Sequence, residues 1–340
     1  MWQNLVNVQK RIAPEIITEL LKRFDILKQI EKHQPIGRRT IAKQLNMTER
    51  ILRKEVDNLQ SLKLIHVDQK GISLTGEGQN VISELEPFMP VLDRRIDLAN
   101  ELKAHYDLHD FYVIRGDADE SSEIQQGLSR LMAERFMDEL FDGAVVSVAG
   151  GSTMASVSEF LKPVHKGLMF VPARGGLGEE VSYQSNSIVS RLAHATGGEH
   201  RMLYAPDSVG DVALESLKSE PSVKEVTELN QASAFVIHGI GDAFTMAHRR
   251  HVDSAVVQKL EKNHAVGEAF GYYFDAQGNI VHKMKTIGIQ LEDLASKKRI
   301  FAVAGGSTKQ EAVKAYMNLA PKNTVLFIDE AIAKYLLESI

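Results

Sequence analysis

The sequence lacks cysteine altogether among its 340 residues. Disulfide bonds, thiolate metal sites and a cysteine nucleophile are therefore excluded, and no metal site is expected. No apolar run approaches the roughly 18 residues that a membrane-spanning helix needs. The chain also does not open with a basic segment followed by an apolar stretch, the pattern of a secretory signal. These absences favour a cytoplasmic protein.

The net charge of −5 at first argues against a nucleic-acid partner, but the charge is unevenly distributed. Residues 1–80 carry 14 Lys and Arg against 9 Asp and Glu, whereas the remainder carries 26 against 36. A basic N-terminal part on an acidic body is typical of a DNA-binding head joined to a regulatory domain. Chance variation along the chain would produce the same imbalance. The length itself predicts two domains.

Three helices are predicted near the N-terminus. Residues 16–32 have apolar side chains at helical spacing. A short second helix includes residues 41–45. Thr48 is a suitable N-cap for a third helix, which ends near Leu62. The third helix has two faces: its apolar side chains are Leu52, Val56 and Leu59, and its opposite side carries Arg50, Arg53, Lys54 and Asp57. Two helices joined by a tight turn, the second with a basic outer face, indicate a helix-turn-helix.

A β-hairpin, or wing, is predicted after these helices, with strands at 64–67 and 72–75 around a turn at 68–71. The combination indicates a winged helix-turn-helix, and a three-helix protein-interaction module with a solvated basic face is the alternative. Basic side chains on such a head would contact phosphates or base edges. The predicted DNA-binding residues are Arg38, Arg39, Thr48, Arg50, Arg53, Lys54 and Lys70.

The predicted domains are a DNA-binding head at 1–80, a linker helix at 81–108 and an effector and oligomerisation domain at 109–340. Leu98 and Leu102 offer a surface for pairing in that linker. In the third segment, apolar runs alternate with helical patterns, which predicts a Rossmann-like, doubly wound α/β fold with a mostly parallel sheet. The predicted strands are 111–114, 144–149, 167–171, 200–205, 233–237, 300–304 and 324–328, and the helices are 121–141, 152–161, 184–197, 210–217, 242–250, 308–317 and 329–338.

One hexapeptide occurs twice: Val148-Ala149-Gly150-Gly151-Ser152-Thr153 returns as Val303-Ala304-Gly305-Gly306-Ser307-Thr308. Each copy follows a predicted strand and opens a predicted helix. Glycines allow close approach of the backbone, hydroxyls add donors, and amides at a helix start favour an anion. Lys309 adds a cation to the second copy. Two such anion-binding loops predict a ligand with two phosphates. Tight turns that need small residues would have the same sequence without binding an anion.

Three further segments add polar groups, two of them directly after predicted strands. Arg174 is suited to bidentate phosphate contact, and Gln184 and Glu268 to hydrogen bonds with sugar hydroxyls. Arg249 and Arg250 end the helix that follows the segment 238–242, and the sequence does not distinguish which of them faces a ligand. Each of these charged groups could instead form a surface salt bridge.

These segments, in this order, resemble the SorC/DeoR-like family of sugar-responsive bacterial repressors. The residues that carry the resemblance are Ile36–Arg39, Val148–Thr153, Phe170–Glu179, His238–Arg250, Glu268–Asp275 and Val303–Lys309, and the run Pro172–Gly178 is typical of the branch that regulates glycolytic genes.

The resemblance implies an effector domain with the fold of sugar-phosphate isomerases and deaminases, and a tetramer acting as paired dimers on an operator. It implies repression of glycolytic genes, including the glyceraldehyde-3-phosphate dehydrogenase operon, relieved by fructose-1,6-bisphosphate, with no cofactor besides that effector. One phosphate would meet Ser152, Thr153 and Arg174, and the other Ser307, Thr308 and Lys309. Gln184, Glu268 and one of Arg249 and Arg250 would surround the sugar.

Two other functions remain open at this point. An isomerase or deaminase with an appended DNA-binding-like domain would need a general base, for which Glu268 or His238 could serve. A helix-turn-helix is of no use to such an enzyme, so we expect a regulator and not an enzyme. A DNA-binding protein without an effector would leave the repeated loop unexplained.

Overall fold

The computed structural model describes residues 8–9, 11–45, 47–176, 180–206 and 210–340. The chain divides into two compact units, with Asp97 the last residue of the first and Leu98 the first of the second. No helix among the described residues is long and apolar enough to cross a membrane.

The first unit contains the predicted helices and hairpin. Its elements are α1 (Pro14–His33), α2 (Arg38–Gln44), α3 (Glu49–Ser61), β1 (Ile65–Val67), β2 (Ile72–Leu74) and α4 (Gly76–Leu85). Leu52, Val56 and Leu59 of α3 are buried in one core with Ile26 and Ile30 of α1, as the helical spacing of these residues predicts.

Side-chain caps and a tight turn define the ends of these elements. The hydroxyl of Thr48 accepts a hydrogen bond from the amide of Ile51 (3.4 Å) and begins α3. Thr75 caps α4 in the same way through the amide of Gly78 (2.9 Å). Between β1 and β2, the Asp68 carboxylate accepts the amides of Lys70 and Gly71. The winged helix-turn-helix architecture is thus present in this unit.

The linker helix predicted over 81–108 is not continuous. After α4 the chain forms a short 3-10 turn, then α5 (Met89–Leu92) and α6 (Arg95–His105). Pro87 and Pro90 lack the amide that an uninterrupted helix would require. Leu102 is fully buried in the core of the second unit, with Leu98 packed against it. The prediction that Leu102 contributes to a pairing surface is therefore wrong.

The second unit is built on a seven-stranded parallel sheet with the order β3-β13-β12-β7-β4-β5-β6. Its apolar strands are covered by helices on both faces, which confirms the α/β class and the doubly wound topology. Its strands are β3 (Asp110–Ile114), β4 (Val145–Val148), β5 (Met169–Pro172), β6 (Glu199–His200), β7 (Phe235–Gly239), β12 (Arg299–Val303) and β13 (Thr324–Asp329).

The helices of this unit agree with the predicted ones in place, and two more are present at 221–232 and 254–262. The strand predicted at 200–205 is much shorter, since only two residues pair with β5. The helices are α7 (Ser122–Glu139), α8 (Ser152–Val157), α9 (Ser185–Thr196), α10 (Asp211–Ser219), α11 (Pro221–Ala232), α12 (Ala243–Arg249), α13 (Ser254–Lys262), α14 (Gln310–Tyr316) and α15 (Glu330–Glu338).

A second, antiparallel sheet has the order β11-β10-β9-β8 and was not predicted. Its strands are β8 (Gly241–Asp242), β9 (Ala265–Ala269), β10 (Tyr272–Asp275) and β11 (Ile280–Lys283). The segment that contains Glu268 is therefore a strand followed by a hairpin turn, and not a loop. Phe270 and Gly271, which form this turn, have φ angles of 53° and 79°, as the tightest β-hairpins require.

Candidate functional site

The glycine-rich segments lie at the carboxyl ends of neighbouring strands. In the sheet, β5, β4, β7 and β12 are adjacent, so the loops that follow them share one edge. From β4 the chain continues outward to β5, whereas from β7 it continues in the opposite direction to β12. Ligands of doubly wound folds bind where the strand order reverses in this way. This edge is therefore the candidate effector site.

The first hexapeptide turns sharply between β4 and α8. Gly151 has a φ of 126°, and its amide donates to the carbonyl of Tyr183 at 2.9 Å. A Cβ atom on Gly150 would lie 2.9 Å from the same carbonyl. The hydroxyl of Ser185 in turn donates to the carbonyl of Arg174 at 3.1 Å. The loops after β4 and β5 and the start of α9 are thus joined around half-buried Ser152 and Thr153.

Two arginines converge on one carboxylate at this edge. Oε1 of Glu268 lies 3.4 Å from Nη1 of Arg174 and 2.9 Å from Nη2 of Arg250, and it also accepts the amide of Gly271. All three charged side chains are at most 6% exposed. Two guanidinium groups thus lie side by side in buried surroundings, and guanidinium groups bind phosphate oxygens through paired, charge-assisted hydrogen bonds. This cluster, Arg174–Glu268–Arg250, is suited to bind an anion.

Gly271 makes room for this cluster. A Cβ atom on Gly271 would lie 2.5–2.8 Å from the guanidinium atoms of Arg174. The hairpin turn between β9 and β10 therefore positions both the amide that holds Glu268 and the space that holds Arg174. The apolar pattern of the sequence gives no indication of the positive φ angles in this turn.

The second hexapeptide has different hydrogen-bond partners from the first, although the two have the same sequence. The amides of Gly306, Ser307 and Thr308 donate to Asp329 (2.6 Å), Asp117 (3.1 Å) and Asp119 (2.8 Å). Three successive amides of this loop are thus bound to carboxylates. The two aspartates at 117 and 119 lie in the loop between β3 and α7.

The charges around the second loop influence one another. Burial alone would raise the pKa of Asp117, but the amides of Asp119 and Ser307 outweigh it and lower that pKa. Burial lowers the pKa of Lys309, whose ammonium group donates to the carbonyl of Gly305 at 2.7 Å. The carboxylates of Asp119, Asp329 and Asp117 oppose that shift, whereas Arg249 adds to it.

The other predicted effector residues divide by exposure. Arg250 is buried against Glu268, whereas Arg249 is exposed and lies within electrostatic range of Lys309. Gln184 directly precedes α9, and its Oε1 lies near Gly176. Residues 177–179 of the segment Phe170–Glu179 lie outside the described residues. Whether these side chains touch an effector stays a prediction.

His238 is held in a way that does not suit a general base. Its Nδ1 lies 3.0 Å from the carbonyl of Gly239 and its Nε2 lies 3.0 Å from the hydroxyl of Tyr316. Because a carbonyl oxygen can only accept, Nδ1 carries the proton, and Nε2 then accepts from the hydroxyl of Tyr316. Burial lowers the pKa of His238 to about 4, against a smaller opposing effect of the Gly239 carbonyl. Both ring nitrogens are therefore engaged inside the protein.

The first unit presents the predicted DNA-binding side chains to solvent, although DNA contact by each remains a prediction. Arg50, Arg53 and Lys54 are exposed on the outer side of α3. Thr48 caps the same helix, so its hydroxyl has a structural role as well. The remaining exposed basic residues of the predicted set are Arg38, Arg39 and Lys70.

Sequence reasoning missed the aspartates that surround the second loop. Asp329 ends β13, the neighbour of β12, and Gly116-Asp117-Ala118-Asp119 follows β3, the next strand beyond β13, so both sets lie at carboxyl ends of strands in the same part of the sheet. The rule that drew attention to the glycine-rich loops would have included them.

Among the described residues, no group of three or more His, Asp or Glu side chains is arranged to hold a metal ion.

Comparison with known proteins agrees with the two-unit structure. Residues 20–89 match the family model described as "CggR N-terminal DNA binding domain". Residues 92–338 match the model described as "Putative sugar-binding domain". The chain is 42% identical over 337 residues to the central glycolytic genes regulator of Priestia megaterium, and 41% identical over 336 residues to that of Bacillus subtilis. Each alignment covers 98% of both chains.

Solved structures support the same assignment. A SorC family transcriptional regulator from Enterococcus faecalis is 38% identical, with a TM-score of 0.67 over 71% of this chain and 99% of that one. The full-length sorbitol operon regulator SorC from Klebsiella pneumoniae shares the fold, with 16% identity and a TM-score of 0.66 over 96% and 99% of the two chains. These relatives are transcriptional regulators and not enzymes, which confirms that prediction. The chain belongs to the SorC family of transcriptional regulators, in which a DNA-binding domain is followed by a sugar-binding domain.

Proposed function

We propose that this regulator represses glycolytic genes, including the glyceraldehyde-3-phosphate dehydrogenase operon, and that fructose-1,6-bisphosphate relieves the repression. It would act in the cytoplasm as a homotetramer of paired dimers on operator DNA. The names of the two relatives with over 40% identity support glycolytic genes as the genes that this protein regulates. The effector is proposed from the chemistry of the sheet edge and from the family resemblance.

The observation that carries the effector assignment is the Arg174–Glu268–Arg250 cluster beside the first hexapeptide. It brings two guanidinium groups together in buried surroundings, where a phosphate would be bound by charge-assisted hydrogen bonds. Lys309, with Arg249 in its electrostatic range, supplies positive charge at the second hexapeptide. A sugar with a phosphate at each end would satisfy both groups.

The test is calorimetric titration of the full chain with fructose-1,6-bisphosphate and, separately, with fructose-6-phosphate. We expect tighter binding of the bisphosphate, and weaker binding after Arg174→Ala or Lys309→Ala. Arg201→Ala is the matched control, because Arg201 pairs with Glu199 and Glu225 on an exposed surface. Equal binding of both sugars, with no effect of the two site variants, would contradict the effector assignment.

The response would pass through contacts between subunits. DNA affinity can change only if the effector binds two arrangements of the protein with different affinity. Sedimentation velocity with and without the bisphosphate, on DNA selected by the protein from a random duplex library, measures such a change. Identical assembly and identical dynamics in both conditions would rule out this route.

A further inference from the structure

The second hexapeptide is already engaged by carboxylates of the chain itself. Asp119 is placed most directly: a Cβ atom on Gly306 would lie 2.2 Å from its Oδ1 and 2.4 Å from its Cγ. The carboxylate of Asp119 thus lies against the backbone of Gly306 and accepts the amide of Thr308 at 2.8 Å. This is where an anion bound by the loop amides would have to lie.

The three aspartates differ in how firmly they are held. Asp329 is fully buried, accepts the amides of Gly306 and Ala118, and caps α15 through the amide of Ile332. Asp117 is half-buried and Asp119 is exposed. Asp329 therefore belongs to the scaffold, whereas the side chains at 117 and 119 can rotate toward solvent at little packing cost.

We propose that Asp117 and Asp119 are internal anions that a phosphate group must displace from the second hexapeptide, and that they thereby set the selectivity between sugar monophosphates and bisphosphates. The inference rests on the proposed effector function and specifies how the second phosphate is admitted. A sugar monophosphate whose phosphate binds at the first loop leaves the aspartates in place. A bisphosphate has to compete with them.

A phosphate can win this competition because of its charge and its oxygens. A carboxylate offers one charge and two oxygens, whereas a phosphate monoester near neutral pH offers between one and two charges and three strong acceptors. The ammonium group of Lys309, now in the field of three carboxylates, would add its charge to the phosphate. Repulsion from Asp117 and Asp119 would still weaken binding as long as both remain ionised nearby.

The displacement would be local. The amide of Gly116 donates to Glu330 at 3.2 Å and that of Ala118 donates to Asp329 at 2.8 Å. These bonds hold the loop backbone independently of the carboxylates at 117 and 119. The amide of Asp119, however, donates to Asp117 at 2.9 Å and would lose this acceptor.

The experiment compares the full chain with the variant Asp117→Asn/Asp119→Asn by calorimetry. Asparagine keeps the size and one acceptor oxygen of each side chain but removes the charge. We expect the affinity for fructose-1,6-bisphosphate to rise about tenfold, within the usual range of coupling between sites, with fructose-6-phosphate affinity unchanged. Unchanged or weaker bisphosphate binding by a folded double variant would overturn the proposal.

A matched control removes the same chemistry elsewhere in the second unit. Asp275 also accepts two loop amides, those of Gln277 and Asn279, both at 2.9 Å, and lies outside the second loop. Asp275→Asn is expected to leave both sugar affinities unchanged. An equal rise in affinity in this variant would show a non-specific effect of charge and would contradict the proposal.

Inorganic phosphate separates this inference from the effector assignment. If the unaltered chain binds neither sugar, the proposed effector is wrong, yet the double variant can still be tested with phosphate alone. Binding of phosphate by the double variant, with slower hydrogen–deuterium exchange at residues 305–309, would support the internal-anion role. No gain in phosphate binding and no protection of this segment would overturn it.

Discussion

The position of the Arg174 side chain depends on Gly271, which has no side chain of its own. Because a Cβ atom on Gly271 would lie 2.5–2.8 Å from its guanidinium atoms, Gly271→Ala should displace Arg174 from Glu268. The φ of 79° at Gly271 also makes alanine unfavourable by about 1–2 kcal/mol. We expect fructose-1,6-bisphosphate affinity, measured by calorimetry, to fall about tenfold, as for loss of one charge-assisted contact.

Gly143→Ala is the control for the backbone part of that effect. Gly143 has a φ of 74°, and an added Cβ there would meet nothing within 4 Å. Its variant should lose a similar amount of stability and retain the unaltered ligand affinity. If both alanine variants bind the bisphosphate equally well, the position of Arg174 does not matter for binding.

His238 predicts a dependence of stability on pH. Burial lowers its pKa from 6.5 to about 4 in the folded chain, so between these values the unfolded chain binds the proton more readily. The contribution of neutral His238 is therefore complete above pH 6.5 and is lost as the pH falls to about 4. It amounts to about 3 kcal/mol. Urea unfolding at pH 7, 6 and 5 should show a shallower pH dependence for His238→Gln, and parallel curves would disprove this origin.

At the scale of elements, the amphipathic helices and the parallel strands could be predicted, whereas the small antiparallel sheet could not. Strand β9 contains Gly267 and Glu268, which do not resemble a buried strand. A Cβ atom on Gly267 would lie 2.3 Å from Phe274, and Glu268 is neutralised by Arg174 and Arg250. These partners are distant in sequence or specific to the packing. Local hydrophobic periodicity therefore carries no information about them.

Contacts with distant residues also explain why the two hexapeptides differ in their surroundings. Their identical sequences predicted identical loops, because the sequence of a loop determines its backbone and its own donors. Their acceptors, however, come from other elements: the carbonyl of Tyr183 for the first loop, and Asp117, Asp119 and Asp329 for the second. Element-level prediction placed both loops correctly and missed the chemistry that distinguishes them.

The contact between α3 and α1 includes an ion pair in which only the acidic partner is buried. Glu55 of α3 is 2% exposed and lies 3.0 Å from Arg23 and 3.3 Å from Lys22 of α1. Apolar side chains often replace an ion pair without loss of stability, and in some proteins the pair is retained because it fixes the geometry. We expect Arg23→Met/Glu55→Met to keep its melting temperature and to lose preference for a selected duplex over random DNA, measured by fluorescence anisotropy.

The exposed pair Lys28–Glu86, 3.2 Å apart, provides the control for α3, because it does not involve that helix. Lys28→Met/Glu86→Met should retain the preference for the selected duplex. A fall in melting temperature with unchanged preference in the Arg23→Met/Glu55→Met variant would assign the Arg23–Glu55 pair to stability alone.

For the whole molecule, effector and DNA binding must be reciprocal if they are coupled. If fructose-1,6-bisphosphate weakens binding to a selected duplex by some factor, the duplex must weaken binding of the bisphosphate by the same factor, about 5- to 150-fold in typical regulators. Two titrations measure it: the effector into free protein, and the effector into the protein–duplex complex. Arg174→Ala should remove the effect of the sugar on DNA binding while leaving DNA affinity itself intact. Equal effector affinity in both titrations would mean that the sugar-binding domain does not control the DNA-binding head through this ligand.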